Sequence, residues 1–176
     1  MDDGSKQRAD LHPLQLELLR HWLTQCRGND LPMRAGVDLD ELRPALRAHL
    51  ALVDIVESGT RLMFRFCGAD LAEAAGMDLT GRMVHRLNPD KPYAAYIEAL
   101  YDRCQVSRRP VFSKCSYSLR RSPATLFTRR LICPLGGDSG AVVGFIAAQT
   151  FDLRGDGDHP SLVHHDHFVP GQVAVL

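Results

Sequence analysis

Strand-like and helix-like segments follow one another along this chain in an order that few folds accommodate. Two strand patterns, Leu50 to Val56 and Arg61 to Phe66, flank a Ser58–Gly59 turn and predict a hairpin. Helical patterns then continue to Cys104, and three more strand patterns follow: Val111 to Leu119, Leu126 to Leu135 and Ala141 to Phe151. This order predicts an α+β fold, a five-stranded antiparallel sheet with helices inserted between strands two and three.

Helices are predicted on both sides of the first hairpin. Apolar residues spaced three and four apart place an amphipathic helix over residues 12–27, with Trp22 in its apolar stripe. Asp70 is expected to cap a short helix that ends at Gly76, and Pro89 to open a longer one. We expect so few helices to cover one face of the sheet.

The composition excludes two broad classes of protein. The chain has 176 residues with 21 Lys plus Arg and 21 Asp plus Glu, so its net charge is zero with His neutral. It is therefore neither a strongly basic nucleic-acid-binding protein nor an acidic disordered chain. A domain of this length buries roughly 70% of its unfolded surface, which supports one core without disulfides or a structural metal.

The N-terminal residues and the cysteines bear on the compartment. Met1 to Lys6 is polar and acidic, unlike a signal peptide, and no apolar run approaches the ~18 residues of a membrane-spanning helix. We therefore expect a cytoplasmic protein that does not enter the membrane. The five cysteines lie at least 11 residues apart, so they form no Cys-x-x-Cys pair and are expected to act as small apolar residues.

Several segments resemble, in order and spacing, the consensus of a sensor family. Phe64 to Leu71 and Gly76 to Arg82 carry the resemblance best. Three further segments match: His49 to Ile55, Arg108 to Val111 and Leu131 to Leu135. Together they resemble a compact PAS-like family of mostly uncharacterised single-domain proteins found mainly in alphaproteobacteria. Two consensus positions differ, because Ala69 replaces the usual Thr and Met77 the usual Arg.

The resemblance covers roughly residues 30–151 and implies an organisation in three parts. Residues 1–30 would form an N-terminal helix and its lead, residues 31–151 the PAS-like domain, and residues 152–176 a His- and Asp-rich tail. The resemblance implies a non-catalytic sensory or regulatory module of bacterial signalling that binds a small ligand, a signalling protein, or both. Because PAS domains commonly dimerise through flanking helices, it also implies a homodimer.

A ligand cavity between the sheet and the helices is a further implication of the resemblance. Strand alternation predicts that Leu62, Phe64 and Phe66 share one face. The candidate pocket residues are Phe64, Phe66, His85, Tyr96 and Arg129. The cofactor remains unknown: no cysteine has the Asn-Cys-Arg surroundings of flavin-adduct photosensors, and His85 is the candidate axial ligand for a haem.

Basic residues concentrate in one part of the chain. Residues 101–135 carry eight basic side chains and one acid, whereas residues 136–176 carry five acids and one Arg. The basic groups are expected to face water on the outer side of the strands, or to form a surface for an acidic protein or a nucleotide. Nucleic acid as a partner is disfavoured, because no recognition helix accompanies these charges.

Two other motifs are interpreted as structural. Gly137-Asp138-Ser139-Gly140 resembles the nucleophile segment of trypsin-like proteases, but its position between two strands predicts a tight turn. The tail contains several histidines without regular metal-ligand spacing, so we predict no metal site there. These residues are His159, His164, His165 and His167.

Two functions besides a sensor remain open. One is an adaptor with a filled core that binds a protein partner and no ligand. The other is a small α+β enzyme that uses an acid–base pair such as His85 with Asp78 or Asp90. We predict no catalytic residues for the favoured sensory function.

Overall fold

The computed structural model describes residues 10–28, 30–57, 59, 61–87, 91–118, 126–152 and 167–176. Its helices are α1 (Pro13–Gln25), α2 (Pro44–Arg47), α3 (Ala69–Ala75) and α4 (Lys91–Ser107). Short 3-10 turns lie at Arg34–Gly36, Leu39–Glu41 and Val84–Arg86. Its strands are β1 (Leu50–Val56), β2 (Arg61–Cys67), β3 (Val111–Ser118), β4 (Leu126–Gly136), β5 (Val142–Asp152), β6 (His167–Val169) and β7 (Val173–Val175).

The five predicted strands form one antiparallel sheet in the order β2-β1-β5-β4-β3. The α+β prediction is therefore confirmed. The predicted number of strands is wrong, because β6 and β7 of the C-terminal segment both pair with β3. A physical reason is that β3 would otherwise be an edge strand with unpaired backbone groups.

Helices cover both faces of the sheet, so the expectation of one covered face is wrong. One core lies between the sheet and α3 with α4, and a second lies between the sheet and α1 with α2. The cause is visible in β4, where every residue from Arg130 to Gly136 is buried. Such a continuous buried run is typical of a strand packed on both sides. We call the two sides the α4 face and the α1 face.

Helix α1 is fixed to the α1 face by two buried polar contacts in addition to its apolar stripe. Trp22 Nε1 donates to the carbonyl oxygen of Pro134 on β4 at 2.8 Å, and Gln15 Nε2 donates to that of Ala148 on β5 at 3.4 Å. Leu18 and Leu19 are buried beside them. The apolar side of α1 is thus buried within its own chain.

A β-bulge in the first hairpin changes which side chains share a face. Leu52 pairs with Phe66 and Val53 with Phe64, so Arg65 is the extra residue on β2. Phe64 consequently packs on the α4 face and Phe66 on the α1 face. The prediction that Phe64 and Phe66 share one face is therefore wrong.

The N-cap of helix α3 lies two residues before the predicted cap. Gly68 is its N-cap residue, and Asp70 lies in the first turn, where its carboxylate meets His49 Nε2 at 3.2 Å. A β-carbon at Gly68 would lie 2.3 Å from the carbonyl oxygen of Ala48, which explains glycine at this position. Gly76 ends the helix in the left-handed conformation, as predicted.

The cysteines are all free thiols. Cys104, Cys115 and Cys133 are buried in the two cores, as expected for small apolar residues, and burial raises the pKa of each thiol. Within the described parts of the chain, no helix is long and apolar enough to cross a membrane.

Candidate functional site

A cavity of about 60 Å³ lies on the α4 face, between the middle of the sheet and helices α3 and α4. Most of its wall is apolar and comes from β2, α3, the Val84–Arg86 turn and α4. Four polar side chains reach it: Tyr93 and Tyr101 from α4, Arg130 from β4 and Gln149 from β5. The apolar lining includes Phe64, Leu71, Leu79, Val84, Leu87 and Ile97.

Arg130 is the charged group of this cavity. Its register opposite Gln149 places both side chains on the α4 face, and Arg130 is only 6% exposed. Nε donates to Gln149 Oε1 at 3.2 Å, and Nη2 donates to the hydroxyl oxygen of Tyr93 at 3.3 Å. Gln149 in turn donates to Thr128 Oγ1 at 2.9 Å. A neutral hydrogen-bond network therefore fixes one edge of the guanidinium.

The Nη1 group of the guanidinium has no hydrogen-bond partner. Arg130 Nη1 is fully buried and makes no hydrogen bond. A guanidinium has five N–H donors, and leaving buried donors unpaired costs about 1–3 kcal/mol or more for a charged group. A residue of the cavity wall thus carries a strong donor, Nη1, that the protein itself does not satisfy.

No negative side chain balances this charge among the described residues. The buried polar residues are Gln15, Ser113, Thr128, Arg130, Gln149 and Thr150, none of which is acidic. Burial raises the pKa of Tyr93, and the Arg130 guanidinium opposes this with a smaller effect. Burial likewise raises the pKa of Cys115. These neighbours are neutral at pH 7, so the field in the cavity is positive.

Tyr93 also connects the cavity to the C-terminal strand β6. The edge of its ring meets the ring of Phe168, with centroids 5.0 Å apart. Tyr96, one turn further along α4, packs on the same Phe168 ring at 4.9 Å. Strand β6 pairs with β3 through three residues, and these aromatic contacts attach it to helix α4 as well.

The structure separates the five residues that the sequence analysis placed in the pocket. Phe64 lines the cavity, whereas Phe66 lies on the α1 face. His85 lines a different cleft of about 230 Å³ beside Glu98 and Asp102, and its buried Nδ1 has no hydrogen-bond partner. Tyr96 contacts Phe168 next to the cavity.

Arg130 lines this cavity, whereas its predicted neighbour Arg129 does not. Arg129 pairs with Thr150 and alternates with Arg130, so it lies on the opposite side of β4. Leu131 to Leu135 are all apolar, so the sequence does not show which of them lie on each side of the sheet. The side on which Arg130 lies could therefore not be predicted from their alternation. The apolar residues of the cavity at Leu71 and Ile97 were missed because they look like ordinary core positions.

A larger groove of about 480 Å³ lies on the other side of the molecule, between α1 and the connection from β4 to β5. Its floor contains Trp22 and Leu135, and its rim contains Arg27, Asp30 and Arg108. None of the described buried polar atoms without a hydrogen bond lies in this groove. The unsatisfied donors of Arg130 therefore make the smaller cavity the better candidate.

The other motifs are distributed as follows. Gly137 to Gly140 forms the predicted turn between β4 and β5, with Gly140 N–H donating to the Gly137 carbonyl at 2.8 Å. Asp78 accepts from the backbone of Thr80 at 2.9 Å. Asp90, three tail histidines (His159, His164 and His165), and Arg120 with Arg121 lie outside the described residues.

Most of the described basic side chains between residues 101 and 135 lie at the surface, as one interpretation of the charge pattern predicted. Arg103, Arg108 and Arg109 are exposed, and Lys114 and Arg129 are half-buried. Arg130 is the exception. Among the described residues, the basic cluster of residues 101–135 therefore lies at the surface except for the buried Arg130.

A five-stranded antiparallel core in the order 2-1-5-4-3, with helices inserted after the second strand, is a PAS-like fold. The model of the PAS domain family matches residues 11–148, and the chain belongs to that family. The match includes α1, which the sequence resemblance had left outside. The protein is accordingly of the sensory or regulatory class. No curated protein matches the chain.

Solved structures with a similar fold include three light-oxygen-voltage (LOV) domains. A LOV domain studied with a flavin analogue has a TM-score of 0.45 at 14% identity, covering 62% of this chain and 81% of that one. The light state of the Aureochrome1 LOV domain gives 0.42 at 13% identity, covering 63% and 86%. A fungal LOV photoreceptor gives 0.44 at 14% identity, covering 77% and 90%. The family assignment rests on the sequence match.

The cavity beside Arg130 does not fit a large cofactor. Pockets for drug-sized ligands measure roughly 300–1,000 Å³, whereas this cavity measures about 60 Å³. A flavin or a haem would have to displace much of the α4 face. The cavity is of a size for a ligand with a few non-hydrogen atoms.

Proposed function

We propose that this chain is a sensory module that binds a small molecule beside Arg130 and reports its presence to a protein partner through strand β6. The observation that supports the proposal is the continuous contact from the cavity to the surface. Arg130 donates to Tyr93, and Tyr93 packs on Phe168 of β6. A change at the guanidinium therefore has a short physical route to a strand at the edge of the sheet.

The edge position of β6 makes it a suitable output element. It pairs with β3 through three residues, Val169 opposite Ser116 being the first, and the side chain of Val169 is exposed. A strand with so few partners has low local stability and opens more readily than the sheet centre. A ligand that weakens the Tyr93–Phe168 contact would free both β6 and the edge of β3 for a partner.

The proposal includes a setting for this module. It acts without catalysis of its own, as a homodimer in the bacterial cytoplasm, and binds a signalling protein rather than nucleic acid. Five free thiols suit a reducing compartment. The exposed Arg103, Arg108 and Arg109 favour a partner with an acidic surface.

Binding measurements on the full chain test the proposal. The protein would be titrated calorimetrically with acetate, acetamide and ethanol and with their three-carbon analogues, after native mass spectrometry has established whether it already carries a small molecule. Saturable binding of any of these at one site per chain, lost when Ala147 in the cavity wall is changed to Leu, supports a sensor. Absence of binding by all of them, together with a mass equal to that of the bare chain, would overturn it.

An adaptor without a ligand is the second candidate function. The observation in its favour is the small size of the cavity, about 60 Å³, which leaves the core nearly filled. On this hypothesis the unpaired donors of Arg130 are satisfied by water. The calorimetric experiment separates the two candidates, because an adaptor binds none of the six compounds.

A further inference from the structure

We infer that the molecule recognised in this cavity is a short-chain monocarboxylate of two or three carbons, bound end-on by Nη1 and Nη2 of Arg130. This inference rests on the proposed function and names the class of its ligand. It follows from three properties of the cavity: its uncompensated charge, the guanidinium nitrogen that has no partner, and the size and polarity of the remaining wall.

The charge of the cavity requires an anion with a single charge. Arg130 is the one charged residue among the buried residues that the structure describes, and it makes none of the observed ion pairs. A buried charge without a counter-ion is strongly unfavourable. One carboxylate neutralises one guanidinium, whereas a doubly charged phosphate would leave an unpaired negative charge in an apolar wall.

The geometry of the donors fits the two oxygens of a carboxylate. Because Nε is engaged by Gln149, the side-on edge of the guanidinium is blocked, and the free atom is Nη1 at the end of the fork. A carboxylate that bridges Nη1 and Nη2 makes the two parallel bonds that this pair of groups prefers. It then shares Nη2 with the Tyr93 hydroxyl, which accepts from that nitrogen at 3.3 Å, and takes up part of the positive charge that holds this hydroxyl.

The remaining wall limits the rest of the ligand. About 60 Å³ is several times the roughly 10–15 Å³ that one water needs, which leaves room for a few non-hydrogen atoms. Apart from Arg130, Gln149 and the tyrosines Tyr93 and Tyr101, the wall is apolar, with Leu71 and Ile97 among its residues. A methyl or ethyl group fits this environment, whereas a second polar group would lose its hydrogen bonds to water there.

The side-chain NMR signals of Arg130 in the full wild-type chain provide the direct test. The protein would be titrated with sodium acetate and sodium propionate, and in parallel with acetamide, propionamide and sodium chloride at equal ionic strength. We expect saturable shifts of the Arg130 Nε–Hε signal with the two carboxylates. Equal shifts with chloride, or tighter binding of the amides, would overturn the carboxylate assignment.

Two substitutions separate a role of Arg130 from a general effect on the fold. Arg130→Gln should weaken acetate binding about 10- to 100-fold, as expected for loss of a charge-assisted bidentate pair. Arg129→Gln, one residue away on the other side of β4, should leave the affinity within about twofold. Unchanged acetate affinity in folded Arg130→Gln contradicts the inference, and the wild-type NMR titration remains decisive if that variant does not fold.

The inference and the proposed function fail in different ways. Binding of acetamide or ethanol with no binding of carboxylates refutes the monocarboxylate and leaves a sensor of neutral molecules. Binding of none of the compounds refutes both and favours the adaptor.

Discussion

Tyr93 lies between the buried charge and the C-terminal strand: its hydroxyl oxygen is 3.3 Å from Nη2 of Arg130, and its ring centroid is 5.0 Å from that of Phe168. One side chain thus has contacts with both the candidate ligand site and the candidate output strand. Burial raises the pKa of Tyr93, so its hydroxyl stays neutral and keeps accepting from the guanidinium at physiological pH.

The first prediction concerns the stability cost of Arg130. We expect Arg130→Met to leave the free energy of unfolding unchanged or to raise it by about 1 kcal/mol, because an apolar side chain removes an uncompensated buried charge. The same variant should lose acetate binding. Urea denaturation of the ligand-free proteins measures the effect. A decrease of more than about 2 kcal/mol in the free energy of unfolding would show that Arg130 stabilises the fold.

The second prediction concerns the contact of Phe168 with α4. Phe168→Ala removes ring contacts to Tyr93 and Tyr96 and should lower the free energy of unfolding by about 1–2 kcal/mol. Amide exchange in β6 should accelerate more than in β5. Val169→Ala is the matched control, because that side chain is 58% exposed and its loss should cost under about 0.5 kcal/mol. Equal effects of the two variants would show that the aromatic contact does not hold β6.

The third prediction concerns the turn between β6 and β7. A β-carbon at Gly171 would lie 2.3 Å from the carbonyl oxygen of Lys114, so Gly171→Ala must move the C-terminal segment away from β3. The bond from Lys114 N–H to the Gln172 carbonyl, now 2.9 Å, should break. We expect amide exchange at Val173 and Val175 to accelerate about tenfold or more.

Gly140→Ala supplies the control for this substitution. Gly140 has a φ of +76° and open space around its β-carbon position, so alanine there should cost roughly 1–2 kcal/mol of global stability. It should leave the relative exchange rates of β7 unchanged. Selective loosening of β7 by the Gly140 variant would contradict the steric account.

The fourth prediction concerns alkaline pH. Burial raises the pKa of Tyr101 from 10.0 to about 12, so the folded state retains its proton to a higher pH than the unfolded state. The resulting stability is complete below about pH 10 and is lost as the pH rises through 12, an effect of roughly 3 kcal/mol for this group. Urea denaturation between pH 9 and 12 should show the decline. Tyr101→Phe should make it smaller, and an equally steep decline in that variant would contradict the assignment.

The fold was largely predictable from the sequence, because its strands have clear boundaries. The five predicted strands agree with the structure within one or two residues at each end. The two C-terminal strands were not predicted, since three-residue strands such as Val173–Val175 lack a measurable period. Whether they form depends on pairing with β3.

The candidate site was much less predictable than the fold. The bulge at Arg65 reverses the alternation of β2, and no local pattern marks it, so Phe66 was placed on the wrong face. Arg129 and Arg130 are adjacent and chemically identical, and only the pairing of β4 with β5 decides which of them faces the cavity. Tertiary register, rather than residue type, defines the site.

We expect occupation of the Arg130 site to loosen strand β6, and hydrogen–deuterium exchange of the full chain measures that loosening. Exchange at Phe168 and Val169 would be measured with saturating sodium acetate and with sodium chloride at the same ionic strength. We predict several-fold faster exchange in β6 with acetate, because a carboxylate that shares Nη2 weakens the bond from Arg130 to Tyr93, and little change in β1. Exchange in β6 that is unchanged or slower with acetate bound would show that the Arg130 site is not coupled to this strand.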